Sequence, residues 1–351
     1  MQMLNNSQKQ FFPALTGLRA IAAWMVFIYH FTPYNNPNFP TVLKKIFANF
    51  NFGVDIFFVL SGFLITYRYF DQPFFNFKKY MVNRFARIYP MYFIVSIGTF
   101  VTIYFSGEHW NKERTIELVL NFTMTKALFE KYIYTGVMQG WTLTLEELFY
   151  LTAPFYFFLI RKRWHWLIVL PIFIFCFGSL LKYSFAHVDS FGEFMQNNIS
   201  TYIVEFFTGI FVGLLILKKT AISFKGYHTY CGLLFIGCYL IIYPYIKELY
   251  QENDLTAFIR MLIISSFGIS TLIIGLIIEK NVIQKILSHK LMILLGKSSY
   301  IFYLIHAGWL ANLIFNYATQ NIILIFIILN LISILLFKSI EEPMNRWIRR
   351  L

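Results

Sequence analysis

The stretch FFPALTGLRAIAAWMVFIYHF, residues 11–31, decides the class of this chain. It is an apolar run long enough for a transmembrane helix, which takes about 20 residues, yet it carries Arg19 and His30. Eleven residues is close to three helical turns, so the two side chains share one face and stand roughly 16 Å apart along the axis. Ionisable groups within hydrocarbon are costly, so the default reading of such a pair is functional. The run has no small-residue cleavage site and reads as a retained helix. The pattern suggests an enzyme working across a membrane.

Composition agrees with that reading. Hydrophobic residues make up 58% of the 351 and charged residues 13%, against about 25% charged in soluble domains. The fold expected is an all-α integral membrane protein. Apolar runs at 11–31, 53–70, 88–106, 142–160, 165–183, 200–217, 229–246, 257–279, 295–316 and 321–340 suggest about ten transmembrane helices. The net charge of +13 is mostly topology. With the N-terminus inside, most Lys and Arg fall in cytoplasmic loops, among them Arg68, Lys79, Arg84, Arg87, Arg161, Lys162 and Arg163. An even number of spans then leaves both termini cytoplasmic, and no nucleic-acid partner is expected. Cys176, Cys231 and Cys238 lack CxxC or metal spacing and read as buried small hydrophobes.

Depth along the spans groups the candidate residues. The first span runs outward, so His30 is near its outer end, while Asp55 in GVDIFFVLSGFLI (53–65) begins the inward second span. Glu146 and Glu147 in WTLTLEELFY (141–150) begin the inward fourth. If these helices pack together, a histidine and three carboxylates converge, and a carboxylate can fix an imidazole tautomer for general-base work. For Asp55 alone, helix capping is an equal reading. One of the adjacent Glu146 and Glu147 points inward and the other caps or meets solvent.

Arg84 and Arg87 in NRFARIYPMYF (83–93) are neighbours on one helical face. With Arg19 and Lys79 they form a possible cytosolic anion site beneath His30, although each arginine alone also fits the positive-inside rule. His306 reads first as a packing histidine near the middle of the ninth span and second, with Trp141 and Glu146, as lining a substrate path. His109, His165, His187, His228 and His289 lie in or next to loops and are given no chemistry. Gly209 and Gly213 form a GxxxG packing motif, and Glu341 or Glu342 is expected to pair with a cytosolic base. No HExxH-like spacing is present, and His30 and His306 are expected at different depths, so no metal is expected.

The Arg19…His30 spacing, GVDIFFVLSGFLI, the Arg84/Arg87 pair, WTLTLEELFYLTAPF, LGKSSYIFYLIH and the terminal EEP, in this order, resemble the acyltransferase-3 family of membrane-bound O-acyltransferases. The resemblance implies acetyl-CoA as donor and transfer of acetyl groups to hydroxyls of an extracytoplasmic glycan or lipid-linked glycan, in a bacterial inner membrane. It also implies an essential His30, supported by Arg19, Asp55 and the Arg84/Arg87 pair. Some relatives carry a fused extracytoplasmic SGNH-type domain, and residues 1–351 read as one transmembrane domain without it. That resembles members acting on lipopolysaccharide O-antigen or another surface polysaccharide. In the expected mechanism CoA phosphates rest on Arg19, Arg84 and Arg87, and His30, oriented by Asp55 or Glu147, acts as general base or acetyl carrier. A proton-coupled transporter or glycolipid flippase is the alternative.

Overall fold

A computed structural model describes residues 10–72, 75–107, 109–185, 195, 197–219, 226–250 and 253–350; His187 lies outside them. The described residues are helical with short connections. In chain order the helices are α1 Pro13–Phe31, α2 Thr41–Phe47, α3 Gly53–Tyr69, α4 Phe77–Phe105 and α5 Lys112–Phe122. There follow α6 Trp141–Lys162, α7 Trp166–Phe185, α8 Ile203–Leu217, α9 His228–Leu249, α10 Asp254–Ile263, α11 Ser270–Ile278 and α12 Val282–Leu287. The last four are α13 Lys290–Ile305, α14 Trp309–Tyr317, α15 Ile322–Leu336 and α16 Glu342–Ile348.

Among the described residues eight helical stretches are long and apolar enough to cross a bilayer, or nine if the bent pair α13 and α14 counts as one. The shorter apolar α8 corresponds to the remaining span expected from sequence. The chain is an all-α, multi-pass membrane protein.

Small residues set the closest helix contacts, as they must where no hydrophobic effect drives helices together in lipid. A Cβ on Gly62 of α3 would sit 2.1 Å from the Phe206 carbonyl oxygen, and one on Gly209 of α8 would sit 2.1 Å from that of Val59. The GxxxG of residues 209–213 therefore seats α8 against α3. Likewise a Cβ on Gly17 of α1 would sit 2.1 Å from the Leu287 carbonyl oxygen, and one on Gly296 of α13 would sit 1.8 Å from that of Thr16. These two seams hold α1, α3, α8 and α13 together as the centre of the bundle.

The ninth span departs from expectation. α13 stops at Ile305, Gly308 takes φ +107°, and α14 leaves at 85°. Glycine reaches that left-handed backbone without steric cost, so the apolar run of 295–316 breaks where an uninterrupted hydropathy pattern gave no sign of it. α10 joins α11 through a π-helical turn at Ile264–Ile269. The three cysteines also differ from expectation, being exposed on the outer faces of α7 and α9. Helices apolar all round do not reveal by periodicity which face meets lipid.

Candidate active site

His30 is exposed at the C-terminal end of α1, and its ring centroid lies 5.2 Å from that of His306. The break after α13 is what delivers His306: it caps the C-terminus of that helix and does not sit mid-span. The expectation that the two histidines occupy different depths is thus overturned. His306 is fully buried, and its Nδ1 lies 2.7 Å from the Tyr303 carbonyl oxygen. A carbonyl can only accept, so Nδ1–H is the donor and Nε2 keeps its lone pair. That Nε2 is buried without a hydrogen-bond partner, next to the His30 ring.

From this histidine pair a line of polar groups runs through the centre of the bundle. One turn back along α13, the Tyr303 hydroxyl lies 3.1 Å from Thr142 Oγ1 of α6. Both line a cavity of about 50 Å³ with Arg19, Ser61, Glu146 and Tyr300. Arg19 stacks over Phe57 at 5.7 Å, and its Nε has no partner. Ser61 Oγ donates to Glu146 at 2.7 Å, and the Tyr150 hydroxyl donates to the same carboxylate oxygen.

At the far end of the line the positive charge concentrates. Arg84 is buried, stands 5.3 Å over the Tyr150 ring and 5.9 Å over Tyr69, and leaves its Nε unpartnered. Arg87 is salt-bridged to Glu341, which is 1% exposed and has its second oxygen unpartnered. Arg68 and Arg349 feel the charge of both. Burial, and then the positive charge of Arg84 and Arg87, hold the Arg349 guanidinium below its ordinary value. Unpartnered guanidinium nitrogens in an excess of positive charge suit a polyanion such as a phosphate cluster. Lys79, expected here, is exposed on the first turn of α4. Arg68 and Arg349 take its place, and no spacing rule links residues so distant in sequence.

The carboxylates do not converge on His30. Asp55 turns toward α8, because the glycine seam joins α3 to that helix, and its carboxyl lies beside that of Glu205. Arg260 is their cationic neighbour; it donates to the Tyr239 hydroxyl at 2.7 Å and stacks on Tyr243 at 4.6 Å. Glu147 lies near Arg84 and Glu146, toward the arginine end, since residues 146 and 147 are already more than a turn into α6. Trp141 packs near Tyr202 with ring centroids 6.1 Å apart. Sequence reading missed Glu205, Arg260, Tyr202 and Tyr239; a glutamate in the first turn of the apolar α8 was the signal available.

Asp55 and Glu205 line a second, larger cavity of about 460 Å³ that also includes Tyr29, the neighbour of His30. The loop before α6 is pinned by Lys126, fully buried, whose Nζ donates to the carbonyl oxygens of Thr135, at 2.7 Å, and Val137. Burial pushes its amine down to about 7. At the opposite end Glu279 accepts from the backbone N–H groups of His228 and Thr229, at 2.6 and 3.1 Å, and so anchors the start of α9. Among the described residues no group of three or more His, Cys, Asp or Glu is placed to hold a metal.

Comparison with known proteins places this architecture. Over 157 residues the chain is 31% identical to the acyltransferase MdmB of Streptomyces mycarofaciens, covering 43% of this chain and 40% of that protein. It is 28% identical over 192 residues to the putative peptidoglycan O-acetyltransferase YrhL of Bacillus subtilis, covering 49% and 28% of the two chains. It is 27% identical over 179 residues to the peptidoglycan O-acetyltransferase OatA of Listeria monocytogenes, covering 47% and 27%. The matched regions thus span two fifths or less of these relatives. No solved structure matches the chain. The model of the acyltransferase domain family Acyl_transf_3 matches residues 12–338, nearly the whole transmembrane bundle, and the chain belongs to that family.

Proposed function

We propose that this protein is a membrane O-acetyltransferase that takes an acetyl group from cytosolic acetyl-CoA and delivers it to a hydroxyl of an extracytoplasmic glycan. Lipopolysaccharide O-antigen or a similar surface polysaccharide is the acceptor we favour, in a bacterial inner membrane. The observation that carries the reading is the polar line itself: arginines gathered at one end, a histidine pair at the other, and a small cavity between them lined by Arg19, Glu146 and Tyr303. CoA phosphates rest on Arg84 and Arg87 with Arg19 above them, and the pantetheine arm follows the line toward His30. His30 removes the proton of the acceptor hydroxyl as its oxygen attacks the thioester carbonyl. The carbon–sulfur bond then breaks, and the CoA thiolate takes up the proton. His306, and not a carboxylate, is the group beside His30, and in this reading its free Nε2 accepts the His30 ring N–H during the reaction. Attack by His30 itself, through an acetyl-histidine, uses the same geometry; parallel double-reciprocal kinetics identify that route.

The test is release of CoA thiol in sealed membrane vesicles, with and without added glycan. The proposal expects acceptor-dependent release that falls in the Arg87→Gln variant. Movement of glycan across the membrane without any thiol release refutes it and favours a transporter.

A further inference from the structure

Residues 306–308 belong to neither α13 nor α14, and the last carbonyls of a helix have no partner within it. Here they are met from outside. His306 Nδ1–H donates to the Tyr303 carbonyl oxygen at 2.7 Å, and Gln139 Nε2 donates to those of Leu304, at 2.6 Å, and Ala307, at 3.0 Å. A primary amide has two N–H groups, one for each carbonyl. Gln139 thus bridges the break, holding one carbonyl before His306 and one after it. It comes from the tight turn Met138–Gly140 that precedes α6, and that turn is itself fixed. Lys126 donates to the Val137 carbonyl oxygen, and the Val137 N–H donates to Asn121 Oδ1 at 3.3 Å. A Cβ on Gly140 would lie 2.7 Å from the Tyr92 ring, so α4 backs the turn closely. Thr142 Oγ1 donates to the Gln139 carbonyl oxygen at 3.1 Å and, its one proton so used, accepts from the Tyr303 hydroxyl at 3.1 Å.

The glutamine makes this contact at a cost. It is 3% exposed, and its Oε1 has no hydrogen-bond partner among the described residues; a buried acceptor left unmet is destabilising. An apolar side chain of the same length would avoid that cost but strand two carbonyls. We propose that Gln139 is a positioning residue for acyl transfer: by clamping the carbonyls on either side of His306 it fixes the broken end of α13, so that His306 Nε2 meets the His30 ring. The inference rests on the acyl-transfer reading above and gives Gln139 no contact with donor or acceptor. A residue that acts only through His306 has nothing further to lose once that ring is gone, so the effects of the two residues must be non-additive.

The test follows label from carbon-14 acetyl-CoA onto glycan in membranes that hold the full-length protein and its native glycan. Gln139→Met is expected to lower the rate at saturating acetyl-CoA by about tenfold or more and to leave the KM for acetyl-CoA within about twofold of wild type. His306→Ala is expected to lower the rate at least as far, and the double variant to be no slower than His306→Ala. A Gln139→Met rate within about twofold of wild type, or a double variant slowed by the product of the two single effects, overturns the proposal. If Gln139→Met does not fold, Gln139→Asn, which keeps the amide but falls one methylene short, goes through the same cycle. A second measurement needs no acceptor. In histidine-labelled protein in nanodiscs, the nitrogen-15 NMR signal of His306, assigned by its loss in His306→Ala, is expected to show the Nδ1–H tautomer in the wild type and a mixture of tautomers in the Gln139 variant. An unchanged Nδ1–H signal in the variant overturns the clamp. No label with the wild type, with the tautomer still lost in the variant, overturns the acyl-transfer reading and not the clamp; label transferred equally by wild type and Gln139 variants sinks this inference alone.

Discussion

Replacing Gly296 by alanine is expected to cripple the enzyme from a site well away from the histidines. The added Cβ would lie 1.8 Å from the Thr16 carbonyl oxygen, where ordinary contact begins at 3.4 Å, so α13 must move off α1 by about 1.6 Å or rotate. A backbone carbonyl cannot swing aside as a flexible side chain can. His306 ends the same helix ten residues on, roughly 15 Å along the axis, and the His30–His306 contact depends on the α1–α13 seam. A misplacement of about 1 Å at a reacting centre can cost ~10²-fold in rate, and forcing extra volume into a packed contact costs about 1–3 kcal/mol. Acetyl transfer at matched expression is therefore expected to fall between about ten- and a hundredfold, with a lowered thermal midpoint in detergent. Gly237→Ala on α9, where an added Cβ meets nothing within 4 Å, is the control and is expected to be silent. Gly296→Ala with activity within twofold of wild type and an unchanged midpoint would refute the reasoning.

Three further outcomes are expected. Arg84→Gln and Arg87→Gln each remove a charged hydrogen-bond donor worth about 1.5–3 kcal/mol, so the KM for acetyl-CoA should rise ten- to a hundredfold with the acceptor KM unchanged; a rise in the acceptor KM instead would place the arginines elsewhere. Lys126→Met strands the carbonyls of Thr135 and Val137, which costs about 1–3 kcal/mol each and should lower the thermal midpoint. Because the folded amine titrates at about 7 against an ordinary 10.5, the unfolded chain binds more protons between those values. Wild-type stability relative to the variant should therefore rise with pH across that window and be flat below it; a fall with rising pH would contradict the assignment. Burial pushes the Glu279 carboxyl up, but the hydrogen bonds from Thr229 and His228 outweigh it and hold it below 4.5. Stability from this anchor is then full above 4.5 and lost as pH falls through the lower folded value, and Glu279→Gln should remove that acid sensitivity in a thermal melt.

The fold class was legible because hydropathy records the thickness of a bilayer, and each apolar run expected from sequence corresponds to helix. The break at Gly308 was not, since one left-handed backbone angle leaves no trace in hydropathy. Its effect is large, because it sets His306 beside His30. The arginine end was partly readable: Arg84 and Arg87 share a helical face, and Glu341 pairs with Arg87 as the terminal EEP suggested. Arg68 and Arg349 arrive by tertiary packing. The depth argument put Asp55 at the start of its helix but carried no information on azimuth, and it misjudged the depth of Glu147. The glycine seam to α8 turns Asp55 to Glu205, and the climb along α6 takes Glu147 toward Arg84.

The central claim is that His30 carries acyl transfer at one end of a line that starts from an arginine-bound donor. Labelled acetyl-CoA supplied to membranes holding wild type or His30→Ala at equal expression tests it most directly. The account predicts label on the surface glycan with the wild type, none with His30→Ala, and undiminished acetyl-CoA binding in both. Label retained in His30→Ala, or none transferred by the wild type, would contradict it.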